Sequence, residues 1–333
     1  MREKKRTYFL LLLLIACVLF ALELALGTVS IPLASVWNSI LGNSSGDTAW
    51  TIIVMESRLP RALTAAFGAA GLALSGLFMQ TLFRNPLAGP SILGISSGAS
   101  LGVALLVLGA GSLVAMNEWS VALASAAGAC TVLFVVLLAA RRLNDNVTLL
   151  IFGIMLSFIA GAIVSILQYK SSLTSLRNFV VWGMGSFAET TWTSVALLAV
   201  TFAGSIAASV FILPSLNILL LGEEYASTMG LHVKKIRVGM ILITGILTGT
   251  ITAFCGPVAF IGLAVPHLAR MLYKTSNHSV IFPACLLIGT SVGMLCDLVA
   301  RSSEVPLNAV TAALGAPLVI YIVFRGSSSR ALI

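Results

Sequence analysis

The side chains that could carry out chemistry are few in this 333-residue chain, and they lie far apart in the sequence. A P-loop ATP site needs Gly-Lys followed by Ser or Thr to hold the phosphates, but no lysine here follows a glycine. The three histidines, His232, His267 and His278, form no His-Glu-x-x-His zinc motif. The sequence therefore predicts no catalytic site, no metal site and no cofactor of its own.

Buried acids are the next candidates, because ion coupling usually needs charged groups in the middle of the membrane. Glu23 lies in the outer part of the first apolar run, and Asp297 lies near the end of a later one. Two such residues favour structural pairing with a nearby hydroxyl or arginine over a proton relay. An ion-coupled secondary transporter of a small solute stays open as the alternative hypothesis, and an intramembrane enzyme is a weaker one.

The five cysteines are Cys17, Cys130, Cys255, Cys285 and Cys296. All of them lie in apolar stretches, and none forms a Cys-x-x-Cys pair. Isolated cysteines of this kind usually act as small buried hydrophobic side chains. The sequence predicts neither a disulfide framework nor a metal site from them.

The elements that position these residues are membrane helices. The chain is 59% hydrophobic and only 9% charged, whereas soluble domains have about 25% charged residues. Repeated apolar runs of about 20 residues, each long enough to cross a bilayer, predict an all-α, polytopic membrane protein whose residues 1–333 form a single transmembrane domain. The predicted spans are at about 8–28, 60–83, 92–110, 119–140, 147–168, 192–212, 238–255, 258–273, 280–300 and 306–324.

The distribution of lysine and arginine predicts the orientation, because cytoplasmic loops carry the excess of these residues. With the N-terminus inside, 14 of the 19 lie on the cytoplasmic side, and the other 5 are Arg58, Arg61, Lys170, Arg177 and Arg301. This bias predicts ten spans with both termini in the cytoplasm. It also accounts for the net charge of +8 without a nucleic-acid partner.

Three loops, at about 29–59, 169–191 and 213–237, are longer than simple connections in a helical bundle. The last of these, predicted to be cytoplasmic, contains "LGEEYASTMGL" at 221–231. Two acids after Gly222 and a glycine at 230 are signals for the start and end of a short helix. Such a helix could dock a soluble partner or lie on the lipid surface.

Three arginines lie on the outer side, which otherwise has few cations. Arg58 and Arg61 lie three residues apart at the start of the second span and share a face if that turn is helical. Arg301 lies at the outer end of the ninth span. They could reach to lipid headgroups or form a socket for a carboxylate-bearing partner.

Several segments together resemble one family, the FecCD-type permeases of ABC importers for iron-siderophores, haem and cobalamin. They follow in the expected order along the whole chain: "ESRLPRAL" (56–63), "GLFMQTLFRNPLAGPSILGISSGAS" (76–100), "VVWGMGSF" (180–187), "LGEEYASTMGL" (221–231), "GPVAFIGLAVPHLAR" (256–270), "DLVAR" (297–301) and "EVPLNAVTAALGAPLVIYIVFR" (304–325). The resemblance implies a type II ABC importer permease fold with ten helices in the inner membrane. It implies a transport subunit rather than an enzyme.

The resemblance also implies partners. It implies a homodimer around the transport path, two ATP-binding subunits that hold ATP and Mg on the cytoplasmic side, and a periplasmic substrate-binding protein. The ATP-binding subunit would grip the helix at about Glu223–Leu231. The coupling residues implied are Gly222, Glu223, Glu224, Ala226, Met229, Gly230 and Leu231, and the docking arginines are Arg58, Arg61 and Arg301.

A cytoplasmic gate is implied at two turns. One is "NPLA" with Asn85, Pro86 and Leu87, and the other is "RRLNDNVTLL" with Asp145 and Asn146. Asn-Pro breaks a helix, which gives a loop that can move without unwinding a span.

The sequence departs from the family pattern near the ninth and tenth spans. In "RSSEVP", fewer residues than usual separate Arg301 from the Glu-x-Pro motif that begins at Glu304. Leu307-Asn308 replaces the usual Val-Gly or Ile-Gly pair. The carried chelate is not specified by these motifs; an iron chelate is the first expectation, with haem and cobalamin as the others.

Overall fold

The computed structural model describes residues 2–42, 48–109, 117–143 and 145–330, and all their side chains except those of 2–4, 322, 323 and 325–330. In this part of the chain all regular secondary structure is helical. The helices are α1 (Arg2–Ala25), α2 (Leu33–Ile40), α3 (Thr48–Ile52), α4 (Leu59–Leu82), α5 (Ile95–Ala104), α6 (Glu118–Arg142), α7 (Asn146–Lys170), α8 (Leu173–Gly183), α9 (Trp192–Leu219), α10 (Glu223–Thr228), α11 (Val233–Cys255), α12 (Ile261–Tyr273), α13 (His278–Ser303) and α14 (Leu307–Arg330).

Each predicted span coincides with one of these helices, so the all-α, ten-span prediction is confirmed. Seven described helical runs are long and apolar enough to cross a membrane by length and composition. Ile95–Gly109 and Leu307–Tyr321 are shorter apolar helices. The tenth, α12, has only 13 residues and contains Pro266. It begins at Ile261, later than the expected 258, because 256–260 is not helical.

The helix α4 lies at the centre of the bundle and packs against α13, α11, α12 and α9. A π-helical turn, Ile53–Arg58, joins it to α3, so that one helical run extends over Thr48–Leu82. Most of this run is buried inside the protein. A helix that is apolar on all sides and surrounded by others is typical of a bundle core.

Small residues allow the central helices to approach closely. A Cβ added at Gly76 of α4 would lie 1.5 Å from the Gly262 carbonyl oxygen of α12. Between α5 and α6, a Cβ at Gly102 would lie 2.0 Å from the Ala124 oxygen, and one at Gly128 would lie 2.0 Å from the Gly98 oxygen. These glycines therefore let neighbouring helices pack closely, as is common in membrane bundles.

The outer helices α6, α7 and α9 expose large apolar side chains, among them Phe158, Val200 and Phe211. Such a surface is unfavourable in water and is suited to the hydrocarbon core of a bilayer. The predicted long loops are partly helical as well, since α2 and α3 lie in the first, α8 in the second and α10 in the third.

Hydrogen bonds show which helix ends lie together. One end of the bundle holds α10, the last residue of α4, the first residues of α7 and α11, and the start of α13; we call it the α10 end. The opposite end holds the end of α1, the start of α4, the end of α13 and the start of α14.

Candidate functional site

The short helix α10 is built as an independent capped unit between α9 and α11. Gly222 precedes it with φ +120° and Gly230 follows it with φ +83°. Residues other than glycine rarely adopt these backbone conformations. The Leu231 amide donates to the Ala226 carbonyl (3.0 Å) and the Gly230 amide to the Ser227 carbonyl (3.0 Å). This pair of bonds is a Schellman cap. The predicted short helix is confirmed, although it ends at Thr228.

The two faces of α10 differ in character. Ala226 is fully buried against the bundle. Leu221, Tyr225 and Met229 are each more than half exposed, and Glu224 is exposed beside them. We call Leu221, Glu224, Tyr225 and Met229 the α10 surface. Exposed aromatic and methionine side chains around a polar group are typical of protein interfaces.

Glu223 points inward, unlike its neighbour. Its Oε1 accepts a hydrogen bond from Asn146 Nδ2 (2.6 Å), and its Oε2 accepts one from Arg237 Nη2 (3.3 Å). The same Asn146 amide donates to the carbonyl of Leu82, the last residue of α4 (3.0 Å). Arg237 in turn donates to the Leu143 carbonyl (3.1 Å). Glu223 therefore contacts α7 and α11 directly, and through Asn146 and Arg237 it is linked to the last residue of α4 and to Leu143 after α6.

The sequence did not single out Arg237, which it counted only as one cytoplasmic cation. The residue is 2% exposed in the structure. A buried guanidinium needs a carboxylate and carbonyl partners to offset its lost hydration, and Glu223 and Leu143 supply both kinds. In the sequence Arg237 ends the basic run "HVKKIR" and directly precedes an apolar stretch.

The turn predicted as the first gate element follows α4 directly. Asn85 Oδ1 accepts from the Leu87 amide (2.9 Å), and the Asn85 carbonyl accepts from the Ala88 amide (3.0 Å). Pro86 and Leu87 are exposed, whereas Ala88 is fully buried. This is a tight, self-bonded turn that connects α4 to α5.

The second predicted gate element caps α7. Asp145 accepts from both the amide and the hydroxyl of Thr148 at 2.8 Å. Hydrogen bonds from Thr148 hold the pKa of Asp145 below its usual range. The cap is thus present at neutral pH and weakens as the pH falls through the acid range. The structure joins this turn to the end of α4 through Asn146, and the gate role of both turns stays a prediction.

A polar network that the sequence did not reveal lies at the same end. The His278 backbone amide donates to Asn217 Oδ1 (2.7 Å), and the His278 ring meets the Thr81 hydroxyl (2.8 Å). Arg270 donates to Gln80, whose amide donates to the Leu263 carbonyl. These contacts connect α4, α9, α12 and α13. Single polar residues in apolar runs gave no sequence signal for such a network.

At the opposite end, Arg58 is buried, with 4% of its surface exposed. Its guanidinium donates to the carbonyls of Leu24 (2.8 Å), Ala25 (2.7 Å) and Val29. Arg58 thereby caps the C-terminal end of α1, where a positive charge is favourable. In this structure its guanidinium is not on the surface that a docked partner would contact.

Arg61 and Arg301 each bind an acid in a neighbouring helix. Arg61 Nε lies 2.6 Å from Asp297 Oδ2 on α13, and Arg301 Nη2 lies 2.6 Å from Glu23 Oε2 on α1. The prediction that Glu23 pairs with a nearby arginine is confirmed. The four side chains form two charge-assisted pairs that connect α1, α4 and α13.

Arg58 and Arg61 contact different helices although they lie three residues apart. The turn is helical, but Arg58 reaches to α1 and Arg61 to α13. Whether these arginines dock a binding protein stays a prediction.

The two departures from the family pattern have structural explanations. In the shortened turn, Glu304 adopts a left-handed backbone conformation at the C-cap of α13. The residue is exposed. Asn308 donates to the Pro257 (2.7 Å) and Gly183 (3.2 Å) carbonyls and accepts from the Ala259 amide (3.0 Å). Its amide therefore supplies hydrogen-bond partners to Pro257 and Ala259 in the non-helical segment 256–260.

A cavity of about 830 Å³ lies near this segment. Trp119, Trp182 and Phe254 contribute aromatic walls, and Arg177 and Glu189 contribute charges. Its size is in the range of small-molecule sites.

The cysteines are all free, and Cys255, Cys285 and Cys296 are buried as expected. Cys17 and Cys130 are exposed instead, on the outside of the bundle. Among the residues that the structure describes, no three His, Cys, Asp or Glu side chains form a group that could hold a metal ion.

The fold and the arrangement at its two ends define a polytopic transport protein, and comparison with known proteins identifies the family. The chain matches the FecCD transport family over residues 12–325 and belongs to it.

Individual relatives support this assignment. The vitamin B12 import system permease protein BtuC of Salmonella arizonae is 38% identical over 281 residues, which cover 83% of this chain and 84% of that protein. The hemin transport system permease protein HmuU of Yersinia pestis is 34% identical over 325 residues, covering 96% of each. A solved structure described as an inward-facing conformation of a proposed metal-chelate type ABC transporter superposes with a TM-score of 0.83 at 31% identity, covering 96% of this chain and 99% of that one.

The chain is thus a multi-pass membrane permease of the ABC importer type, a transport component rather than an enzyme. The prediction of the family, and of the fold class that goes with it, is confirmed.

Proposed function

We propose that this chain is the inner-membrane permease of an importer that moves a metal chelate of the cobalamin or haem type into the cytoplasm. Its relatives are permeases for vitamin B12 and hemin. Both compounds are metal complexes of large tetrapyrrole-derived rings, which makes this class a sharper proposal than an iron-siderophore. The whole chain would act as one membrane domain without a cofactor of its own.

The α10 surface carries the proposal that the energy comes from a separate ATP-binding subunit. A helix of six residues would not need two glycine caps and an exposed Leu221, Tyr225 and Met229 merely to connect α9 with α11. A soluble partner would bury these side chains and leave Glu224 at the rim. The α10 end would then be cytoplasmic, with both termini on that side.

The opposite end would face the periplasm and a substrate-binding protein. Arg61 is 19% exposed in its side chain and Arg301 is 11% exposed, so each could meet an acidic group of that protein at the edge of its ion pair. The cavity beside α8 is where a released chelate would first contact the chain. Two copies of the chain, related by a two-fold axis, would enclose the path.

In this mechanism ATP closes two ATP-binding subunits, α10 moves with them, and the turns at 85–88 and 145–146 open or close the path. Glu23 and Asp297, the two acids that the sequence offered for ion coupling, are both held by arginines in the part of the chain that the structure describes. This pairing favours the ATP-driven importer over an ion-coupled transporter.

Uptake into proteoliposomes tests the proposal. The chain is reconstituted with the ATP-binding subunit and the binding protein that copurify with it, and cyanocobalamin and haemin are offered separately. Accumulation of one of them that requires ATP on the α10 side is the expected result. Uptake driven by a proton or sodium gradient without ATP would contradict the proposal.

A further inference from the structure

Glu223 and Glu224 are adjacent acids on α10 with different surroundings. The Glu223 side chain is 34% exposed and is held by Asn146 and Arg237. Glu224 is exposed. If α10 docks a partner, Glu224 is placed to contact that partner, and Glu223 is placed to contact the rest of this chain.

The contacts of Glu223 lead to both predicted gate turns. Asn146 is the first residue of α7, and its amide joins Glu223 to the Leu82 carbonyl, three residues before Asn85. Arg237 joins Glu223 to Leu143, at the other side of the second turn. A displacement of Glu223 therefore acts directly on the start of α7 and, through Asn146, on the end of α4.

The backbone on either side of α10 is a poor route for the same displacement. Gly222 and Gly230 flank the helix in conformations that favour glycine, and glycine is the most flexible residue of the chain. Such hinges absorb movement by rotation of φ and ψ. The side-chain contacts bypass the hinges, and the 2.6 Å bond of the Glu223 carboxylate has the length of a strong charge-assisted hydrogen bond.

The buried Arg237 explains why the acid at 223 needs its charge. Its guanidinium lies in the interior at the start of α11, and Glu223 is the acid with which the structure pairs it. A neutral side chain at 223 could still accept a bond from Asn146, but it would remove the carboxylate that lies 3.3 Å from the buried guanidinium.

We propose that Glu223 and Arg237 are positioning residues that transmit the movement of α10 through Asn146 to the two gate turns. Glu223 thus belongs to the internal linkage of the permease rather than to the docking surface. This inference rests on the proposed function, since it needs an ATP-binding subunit that moves α10.

The test compares Glu223→Gln with the matched control Glu224→Gln, which removes the same charge one residue away. The permease carries Val147→Cys, an exposed position on the first turn of α7, in a background without other cysteines. Two quantities are measured in nanodiscs with the copurifying ATP-binding subunit: its affinity for the permease, and the change in maleimide labelling rate at position 147 between the nucleotide-free and ATP-trapped states.

For Glu223→Gln we expect the affinity to stay within about threefold of the parent, as for a side chain outside the interface. The nucleotide-dependent change in labelling should fall at least about fivefold, the lower range of coupling between two sites. Glu224→Gln, on the α10 surface, should lower the affinity but keep the labelling change when the ATP-binding subunit is saturating. Glu223→Asp should restore part of the labelling change because the charge returns.

A parental labelling change in Glu223→Gln would overturn the linkage while leaving the importer intact. A loss of affinity in Glu223→Gln larger than in Glu224→Gln would place Glu223 in the docking surface and also overturn it. Failure of the parent to bind the ATP-binding subunit would instead remove the proposed function, and the inference with it.

Discussion

Replacement of Arg58 by glutamine tests whether this residue stabilises the fold or only docks a partner. The change removes the guanidinium that donates to the carbonyls of Leu24, Ala25 and Val29. The Leu24 bond is buried and the other two are partly buried. The side chain of glutamine is too short and has too few donors to replace all three.

The magnitude follows from the burial of the three acceptors. A buried carbonyl without its partner costs about 1–3 kcal/mol, and a partly buried bond contributes about 0.5–1.5 kcal/mol. The three together give an expected loss of about 2–6 kcal/mol in the free energy of unfolding. The positive charge near the C-terminal end of α1 adds about 0.3–1 kcal/mol to this.

The free energy of unfolding is measured by steric trapping in bicelles. Arg177→Gln is the matched control, because Arg177 is an exposed arginine at the same end of the bundle and should change stability by about 0.5 kcal/mol or less. The reasoning is refuted if Arg58→Gln unfolds with the same free energy as the parent and lowers only the affinity for a binding protein.

Two further predictions concern packing and orientation. Gly102→Ala should lower the free energy of unfolding by about 1–3 kcal/mol through overpacking, because its Cβ would lie 2.0 Å from the Ala124 oxygen. The control Gly161→Ala adds a methyl group in open space and should leave the free energy of unfolding unchanged in the same assay. In a background without other cysteines, a cysteine at Thr174 should react with an impermeant maleimide from the periplasm and one at Ser227 only from the cytoplasm, since lysines and arginines concentrate on the α10 side; the reverse pattern would overturn the orientation.

Much of the fold could be predicted because membrane helices are encoded locally. Every apolar run of the required length became a helix, since the bilayer leaves the backbone no other way to satisfy its polar groups. The short α10 was also predictable, because its glycines and acids are local signals at fixed spacing. The break at 256–260 was not, because it depends on the distant Asn308 amide.

The partners of charged residues could not be predicted for the same reason. Arg58, Arg61 and Arg301 looked alike in the sequence as outer cations, yet one caps α1 and the other two bind Asp297 and Glu23. Arg237 looked like an ordinary cytoplasmic cation, although it is buried. Tertiary packing decides which helix a side chain reaches. The spacing of residues within one segment does not reveal that packing.

The central claim is that the α10 surface binds the ATP-binding subunit that drives transport. Tyr225→Ser removes an aromatic side chain that is 56% exposed on this surface, and Tyr169→Ser removes one that is 91% exposed at the other end of the bundle. The direct measurement is the affinity of the purified ATP-binding subunit for each variant in nanodiscs. A central aromatic contact is worth about 2 kcal/mol or more, so Tyr225→Ser should bind roughly thirtyfold more weakly while Tyr169→Ser binds like the parent. Equal affinity for Tyr225→Ser and the parent would contradict the account.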